Sequence, residues 1–182
     1  MQHNVKYYAS EIDKYPIKVT QANFPNTIQL GDIQDIQPYK WQQSTDILVG
    51  GSPCQGFSFA GKQLNFADER SKLFFEFVRL RDKLKPKYFL LENVVMKKEY
   101  QDVISSYLGV QPLMLNSSLF TAQNRKRLYW TNFPIDCDIQ DKNIILQDIL
   151  EEDGIACKEM TNANGKSHCL TATYNGAVWW NS

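Results

Sequence analysis

The tightest constraint on the fold is an alternation. Short apolar runs take turns with amphipathic stretches, and four of the runs stop at a charged or reactive residue: Glu11, Asp32, Cys54 and Glu92. Residues 5–10 read as a strand ending at Glu11, and residues 27–30 as one ending at Gly31-Asp32. Residues 46–49 lead into the turn that holds Cys54, and residues 88–91 run into Glu92-Asn93. Between them, residues 14–22 read as a helix with Pro16 in its first turn. Residues 71–84 place Leu73, Phe74, Phe77, Val78 and Leu80 at near-helical spacing. Further on, residues 97–108 predict a helix stopped by Gly109, residues 110–120 and 127–133 two strands, and residues 144–152 a helix stopped by Gly154. Strand and helix in repetition predict an α/β chain: a doubly wound, mostly parallel sheet with helices on both faces. Ligands in such sheets bind beyond the carboxyl ends of the strands. One polar residue there is common by chance, whereas four on one edge point to a built site.

The chemistry of these positions is specific. Cys54 sits in "GGSPCQGFS", directly after Pro53 and among glycines that let a ligand approach the backbone. At a strand-to-helix turn, nearby backbone N–H groups favour the nucleophilic thiolate; the plain alternative is a small apolar core residue. Glu92, at the end of a dry strand, reads as a carboxylate at the lip of an apolar pocket, able to hold a proton near neutral pH. A helix-cap partner or surface ion pair is the other reading, and Asn93 is a cap candidate for the following segment. The run "QNRKR" is dense in donors, and guanidinium forks suit phosphates and base edges. Arg125 and Arg127 share a face if the run is extended, although a solvated basic loop explains the same residues. Glu11 and Asp32 resemble the acidic residues that receive ribose hydroxyls or an amine in nucleotide-binding sheets.

Composition narrows the field. Lys plus Arg and Asp plus Glu are 20 each, so no global field draws the chain to nucleic acid, and a local patch such as Arg125-Lys126-Arg127 must do so. No apolar run approaches the ~20 residues of a membrane span, and no signal-like segment opens the chain. The four cysteines form no CxxC pair and there are two histidines, so a metal site is unsupported and the thiols read as reduced, in a cytoplasmic setting. A length of 182 residues suits one domain.

In this order, the pieces resemble the cytosine-C5 DNA methyltransferases of bacterial and phage type. "SPCQGFS" looks like the family's Pro-Cys nucleophile motif, "ENV" its Glu-Asn-Val motif and "QNRKR" its Gln-x-Arg-x-Arg motif. "YYASEID" and "GDI" resemble its cofactor motifs, "KLFFEFVRL" the helix after the nucleophile loop, and "CLTATY" the Leu-Thr motif beyond the target-recognition segment. The resemblance implies a Rossmann-like, S-adenosylmethionine-dependent methyltransferase fold and methylation of a cytosine flipped out of double-stranded DNA. By that resemblance Cys54 attacks C6 of the base and Glu92 contacts N3 and the exocyclic amine. Arg127 meets O2, Arg125 acts at the base or its phosphate, and Gln123 positions the loop with Ser52, Pro53 and Gln55 on the substrate side. Glu11, with Ile12, takes the cofactor ribose; Asp32, with Ile33, takes its adenine; Leu73 lines the cofactor pocket. The transfer-RNA-methylating relatives tend to show Pro-Pro-Cys-Gln and a Cys-Phe-Thr segment. Ser52 before Pro53, and the lack of Cys-Phe-Thr, favour DNA.

Two family features are missing from the sequence. The glycine-rich loop after the family's first strand, which cradles the methionine end of the cofactor, does not occur, and neither does the closing Asn-Val motif. The expectation is therefore a single partial catalytic domain truncated at both ends, lacking the first strand and glycine loop. Residues 134–166 would then be a reduced target-recognition segment, since only about 40 residues separate "QNRKR" from "CLTATY". Three readings stay open: a methyltransferase crippled alone, one part of a split enzyme whose complementing chain supplies the glycine loop, and a DNA-binding remnant without activity. A different thiol enzyme would need a histidine beside Cys54, and neither His3 nor His168 stands in such a context. The cellular setting implied is a bacterial or phage-infected cytoplasm, with a nuclear location left open.

Overall fold

The computed structural model describes residues 5–40, 45–52, 69–135, 139–156 and 158–168. The chain divides into two compact units, Met1–Phe89 and Leu90–Ser182.

In the first unit, β1 (Tyr8–Ala9) and β2 (Ile28–Gln29) pair in parallel, Tyr8 opposite Ile28 and Ala9 opposite Gln29. Helix α1 (Lys14–Asn23) joins them, as a parallel pair requires a crossover. Its N-cap is Asp13, whose carboxylate accepts from the Tyr15 N–H at 2.9 Å, and Pro16 sits in the first turn, where no N–H is needed. Strand β3 (Ile47–Gly51) follows, then α2 (Glu69–Leu84). Ile36, Leu80 and Leu84 form a small core, with Leu30, Ile33 and Leu48 packed against it. Arg79 of α2 ties this core to the turn after β2: its guanidinium donates to the carbonyls of Ile33 and Ile36 at 3.0 and 3.1 Å, and to Glu76 at 2.6 Å.

The glycine pair at the end of β3 has a packing reason as well as a chemical one. A Cβ built on Gly50 would lie 2.6 Å from Cδ2 of Phe77, a buried ring of α2. Gly50→Ala should therefore destabilise the chain by about 1–3 kcal/mol, the range of overpacked cores. Urea unfolding checks this, and a midpoint equal to that of the parent chain would refute the close approach.

The second unit is built on an antiparallel sheet. Residues Leu90 to Val94 of β4 (Tyr88–Val94) pair with β6 (Lys126–Thr131), and β6 pairs with β5 (Leu113–Asn116). One face is dry: Leu91, Asn93, Leu128 and Trp130 are all buried, joined by Ile104 and Leu108 of α3 (Lys98–Leu108). The indole N–H of Trp130 donates to Ser105 Oγ at 2.9 Å, fastening α3 to β6. Helix α3 ends on Gly109, left-handed at φ 73°, whose N–H returns to the Ser105 carbonyl.

The sequence expectations hold for α1, α2, α3 and the places of the strands, with four differences. The strand expected over residues 110–120 covers only Leu113–Asn116, and Ser117–Leu119 form a 3-10 turn. Strand β4 runs on to Val94, so Glu92 lies inside the strand rather than at its end. Both pairings within the second unit are antiparallel. Residues 144–152 form no helix, only a short 3-10 turn at Leu146–Ile149.

Candidate active site

Parallel pairing of β1 and β2 places Glu11 and Asp32 together, each just past the carboxyl end of its strand. Both use one oxygen to build the turn they sit in. Glu11 Oε1 accepts from the N–H groups of Ile12 and Asp13 at 2.8 and 2.9 Å, and Asp32 Oδ1 accepts from Gln34 at 2.9 Å. The second oxygen of each carboxylate has no partner among the described residues. Two neighbouring acceptors, oriented by backbone bonds, suit a ligand rich in hydroxyl or amine donors. Ile12 is exposed, whereas Ile33 belongs to the core under this edge. Leu73 is half-buried on α2.

The second unit assembles the other group. Glu92 and Arg127 stand diagonally on one face of the β4–β6 pair, since Arg127 is in register with Val94, two residues beyond Glu92. Arg127 Nε meets Glu92 Oε1 at 2.8 Å, and the side chains are 15% and 34% exposed. Glu92 is thus a partly exposed carboxylate paired with a guanidinium, the ion pair that the sequence left open beside its reading as an acid. Asn93 does not cap α3: its Oδ1 accepts from the Val94 N–H, and Lys97 stands at the N-cap of that helix.

Arg127 lies within β6, and Gln123 and Arg125 on the turn that enters it. That turn is held through its backbone. Asn116 Oδ1 accepts from the Arg125 N–H at 2.9 Å, Ser117 Oγ donates to the Gln123 carbonyl at 2.8 Å, and the Ser117 N–H donates to the Arg125 carbonyl at 3.1 Å. Ser167 pairs with Gln123 from the other side. The sequence reading passed over Asn116 and Ser117, because it carried one strand through residues 110–120 and left them inside it.

Beside this turn opens a polar cleft of about 420 Å³, lined among others by Asn116, Asn124, Lys126, Asp141, Asn162 and Lys166. The Asn143 backbone N–H, and secondarily Lys166, hold the Asp141 carboxyl below its ordinary value. A depressed carboxyl stabilises above its unfolded value and loses that contribution as pH falls through the folded one, so the Asp141 contacts persist at neutral pH and break only in acid.

Ser52 lies just past β3, and Pro53, Cys54 and Gln55 lie outside the described residues. No group of three His, Cys, Asp or Glu residues suited to a metal occurs among the described residues, and none of their helices is long and apolar enough to cross a membrane.

These features have the architecture of an α/β methyltransferase. The chain resembles a crystal structure described as a DNA modification methyltransferase encoded within an E. coli prophage, with a TM-score of 0.55 and 26% identity, over 69% of this chain and 39% of that one. The chain belongs to the C-5 cytosine-specific DNA methylase family, whose model matches residues 2–174. It is 42% identical over 137 residues to the type II methyltransferase M1.ScrFI of Lactococcus lactis subsp. cremoris, covering 69% of this chain and 35% of that protein. Similarity to M.NlaIV of Neisseria lactamica is 45% over 144 residues, covering 68% and 33%, and to the orphan methyltransferase M.SPRI of Bacillus phage SPR 39% over 136 residues, covering 66% and 30%. The chain thus spans about a third of the length of these relatives.

Proposed function

We propose that the chain carries the base chemistry of a DNA cytosine-C5 methyltransferase. The observation that bears most weight is the Glu92–Arg127 pair, joined across β4 and β6 at the foot of the Gln123–Arg127 turn. In this reading the target cytosine leaves the duplex for the site. The Cys54 thiolate adds to C6, and Glu92 supports protonation at N3, so that the electron pair builds up at C5. Arg127 stabilises the base at O2, Arg125 holds the base or its phosphate, and Gln123 helps position the turn. After C5 has gained the methyl group, a base removes its proton and Cys54 leaves C6, restoring the ring and the free thiol. S-adenosylmethionine is the donor that supplies an electrophilic methyl group when bound. The uncommitted oxygens of Glu11 and Asp32 fit its ribose hydroxyls and adenine amine, with Ile12, Ile33 and Leu73 as apolar neighbours. Ser52, Pro53 and Gln55 complete the substrate side. Residues 134–166 act as a reduced target-recognition segment, double-stranded DNA is the partner, and the bacterial or phage-infected cytoplasm is the setting.

The test is trapping on a duplex containing 5-fluorocytosine in the presence of S-adenosylmethionine: once C5 has gained the methyl group it carries fluorine where a proton would be removed, and Cys54 cannot leave C6. The expected result is a denaturation-resistant protein–DNA adduct, absent from Cys54→Ala. The experiment is run alone and with an added polypeptide bearing a glycine-rich cofactor loop, since a complementing chain is part of the proposal. No adduct in either arm, with salt-dependent duplex binding unchanged in Cys54→Ala, would instead identify a DNA-binding remnant.

A further inference from the structure

Lys166 is the one buried charged residue among the described residues, at 6% exposure. Its ammonium donates to the Ser118 carbonyl at 2.7 Å and the Thr121 carbonyl at 3.4 Å, and lies 3.4 Å from Asp141 Oδ1. Withdrawing an ammonium from water is unfavourable by several kcal/mol unless partners compensate, so a lysine here is not mere filling. What it gathers is informative. Ser118 and Thr121 bracket the turn that enters β6, and Thr121 Oγ1 in turn accepts from the Gln123 N–H at 3.2 Å. The next residue grips the same turn: the Ser167 N–H donates to the Ala122 carbonyl at 2.6 Å, and the Ser167 carbonyl accepts from Asn124 at 2.9 Å. Lys166 is itself fixed, its own N–H donating to Asn162 Oδ1 at 3.1 Å. Without the cation, the Ser118 and Thr121 carbonyls would lose the donor they share, and Asp141, at the edge of the cleft, its partner.

We propose that Lys166 is a positioning residue for the Gln123–Arg127 segment. Its ammonium sets the conformation of residues 118–124, and through them the placement of Gln123, Arg125 and Arg127, without touching the substrate. The inference rests on the function proposed for those three side chains. Its structural half, that Lys166 holds the turn, does not.

The test compares Lys166→Met, which keeps the length and apolar stem, with Lys166→Arg, which keeps the charge, in the 182-residue chain. Amide hydrogen exchange is followed residue by residue, together with the single-turnover rate of adduct formation on the 5-fluorocytosine duplex and the salt dependence of duplex binding. Lys166→Met is expected to speed exchange of residues 122–127 by about tenfold or more while α3 and β4 keep their rates. Adduct formation at saturating duplex should slow by about tenfold or more with duplex affinity within about twofold, and Lys166→Arg should recover part of the loss. Unchanged exchange at 122–127 overturns the proposal, as does a uniform rise through the unit, which marks a general structural role. Weaker duplex binding with a salt slope smaller by about one also overturns it, because it marks a direct phosphate contact from the cleft. If the parent chain forms no adduct, the catalytic reading fails, and the exchange measurement alone decides whether Lys166 holds the turn.

Discussion

Replacing Glu92 by Gln is expected to slow adduct formation on a 5-fluorocytosine duplex by about a hundredfold or more, and Arg127→Met by a comparable factor, the range of a lost general acid or charge-stabilising donor. Both should leave stability within about 1 kcal/mol, because a partly exposed ion pair contributes little to folding. That combination, a large rate effect with a small stability effect, separates a reacting pair from a structural one. If the pair merely braced β4 against β6, unfolding free energy would fall while the surviving folded protein reacted at the parent rate. The double variant sharpens the point. Two groups acting on one base lose less together than the product of their single losses, whereas independent groups multiply. Single-turnover trapping and urea unfolding on the same four proteins supply both numbers, and a multiplicative double variant would rule out a shared substrate.

Much of this was legible in the sequence, and the misses have physical causes. The strand-end carboxylates Glu11 and Asp32 fall side by side because a helix-sized segment between two short apolar runs allows parallel pairing. Helices α2 and α3 follow from apolar spacing and, for α3, from Gly109. The antiparallel pairing of β5 with β6 was missed, because the repeated strand-helix pattern was extended to a segment of residues 117–125 that is too short for a crossover. Glu92 was placed at a strand end because a charge usually closes an apolar run, yet pairing with β6 carries the strand on to Val94. The expected helix at residues 144–152 fails because the apolar residues of its second half find little to pack on: Ile149 is 63% exposed and Leu150 36%. Asp148 Oδ2 accepts from the Ile145 N–H at the head of the turn, and Gln147 bonds to Gly154 and Ala156, which leaves the segment a tied loop. Lys166 left no signal at all. In Asn-Gly-Lys it reads as a solvated turn residue, and only the fold brings Ser118 and Thr121 to it.

Trp130→Ala is expected to destabilise the second unit by about 3–5 kcal/mol, since the indole is fully buried and its removal leaves a large cavity between β6 and α3. Two milder changes divide that loss into its parts. Trp130→Phe keeps most of the apolar volume but strands Ser105 Oγ; Ser105→Ala keeps the ring but strands the indole N–H, now 2.9 Å from its acceptor. Leaving one buried partner unsatisfied is unfavourable by about 1–3 kcal/mol, so each should fall between the parent chain and Trp130→Ala. The pair Trp130→Phe with Ser105→Ala removes both partners of the bond, and should be less destabilised than the sum of the two single changes. The consequence reaches the site, because Trp130 and Arg127 belong to one strand and Leu91, opposite Trp130, adjoins Glu92. Loosening the dry face should raise hydrogen exchange along β6 and slow adduct formation in proportion to the fraction unfolded, with the rate per folded molecule preserved. Thermal unfolding monitored by far-ultraviolet circular dichroism reads the stabilities. A Trp130→Ala protein as stable as its parent would show that β6 is held by its strand neighbours alone and not by the helix beneath it.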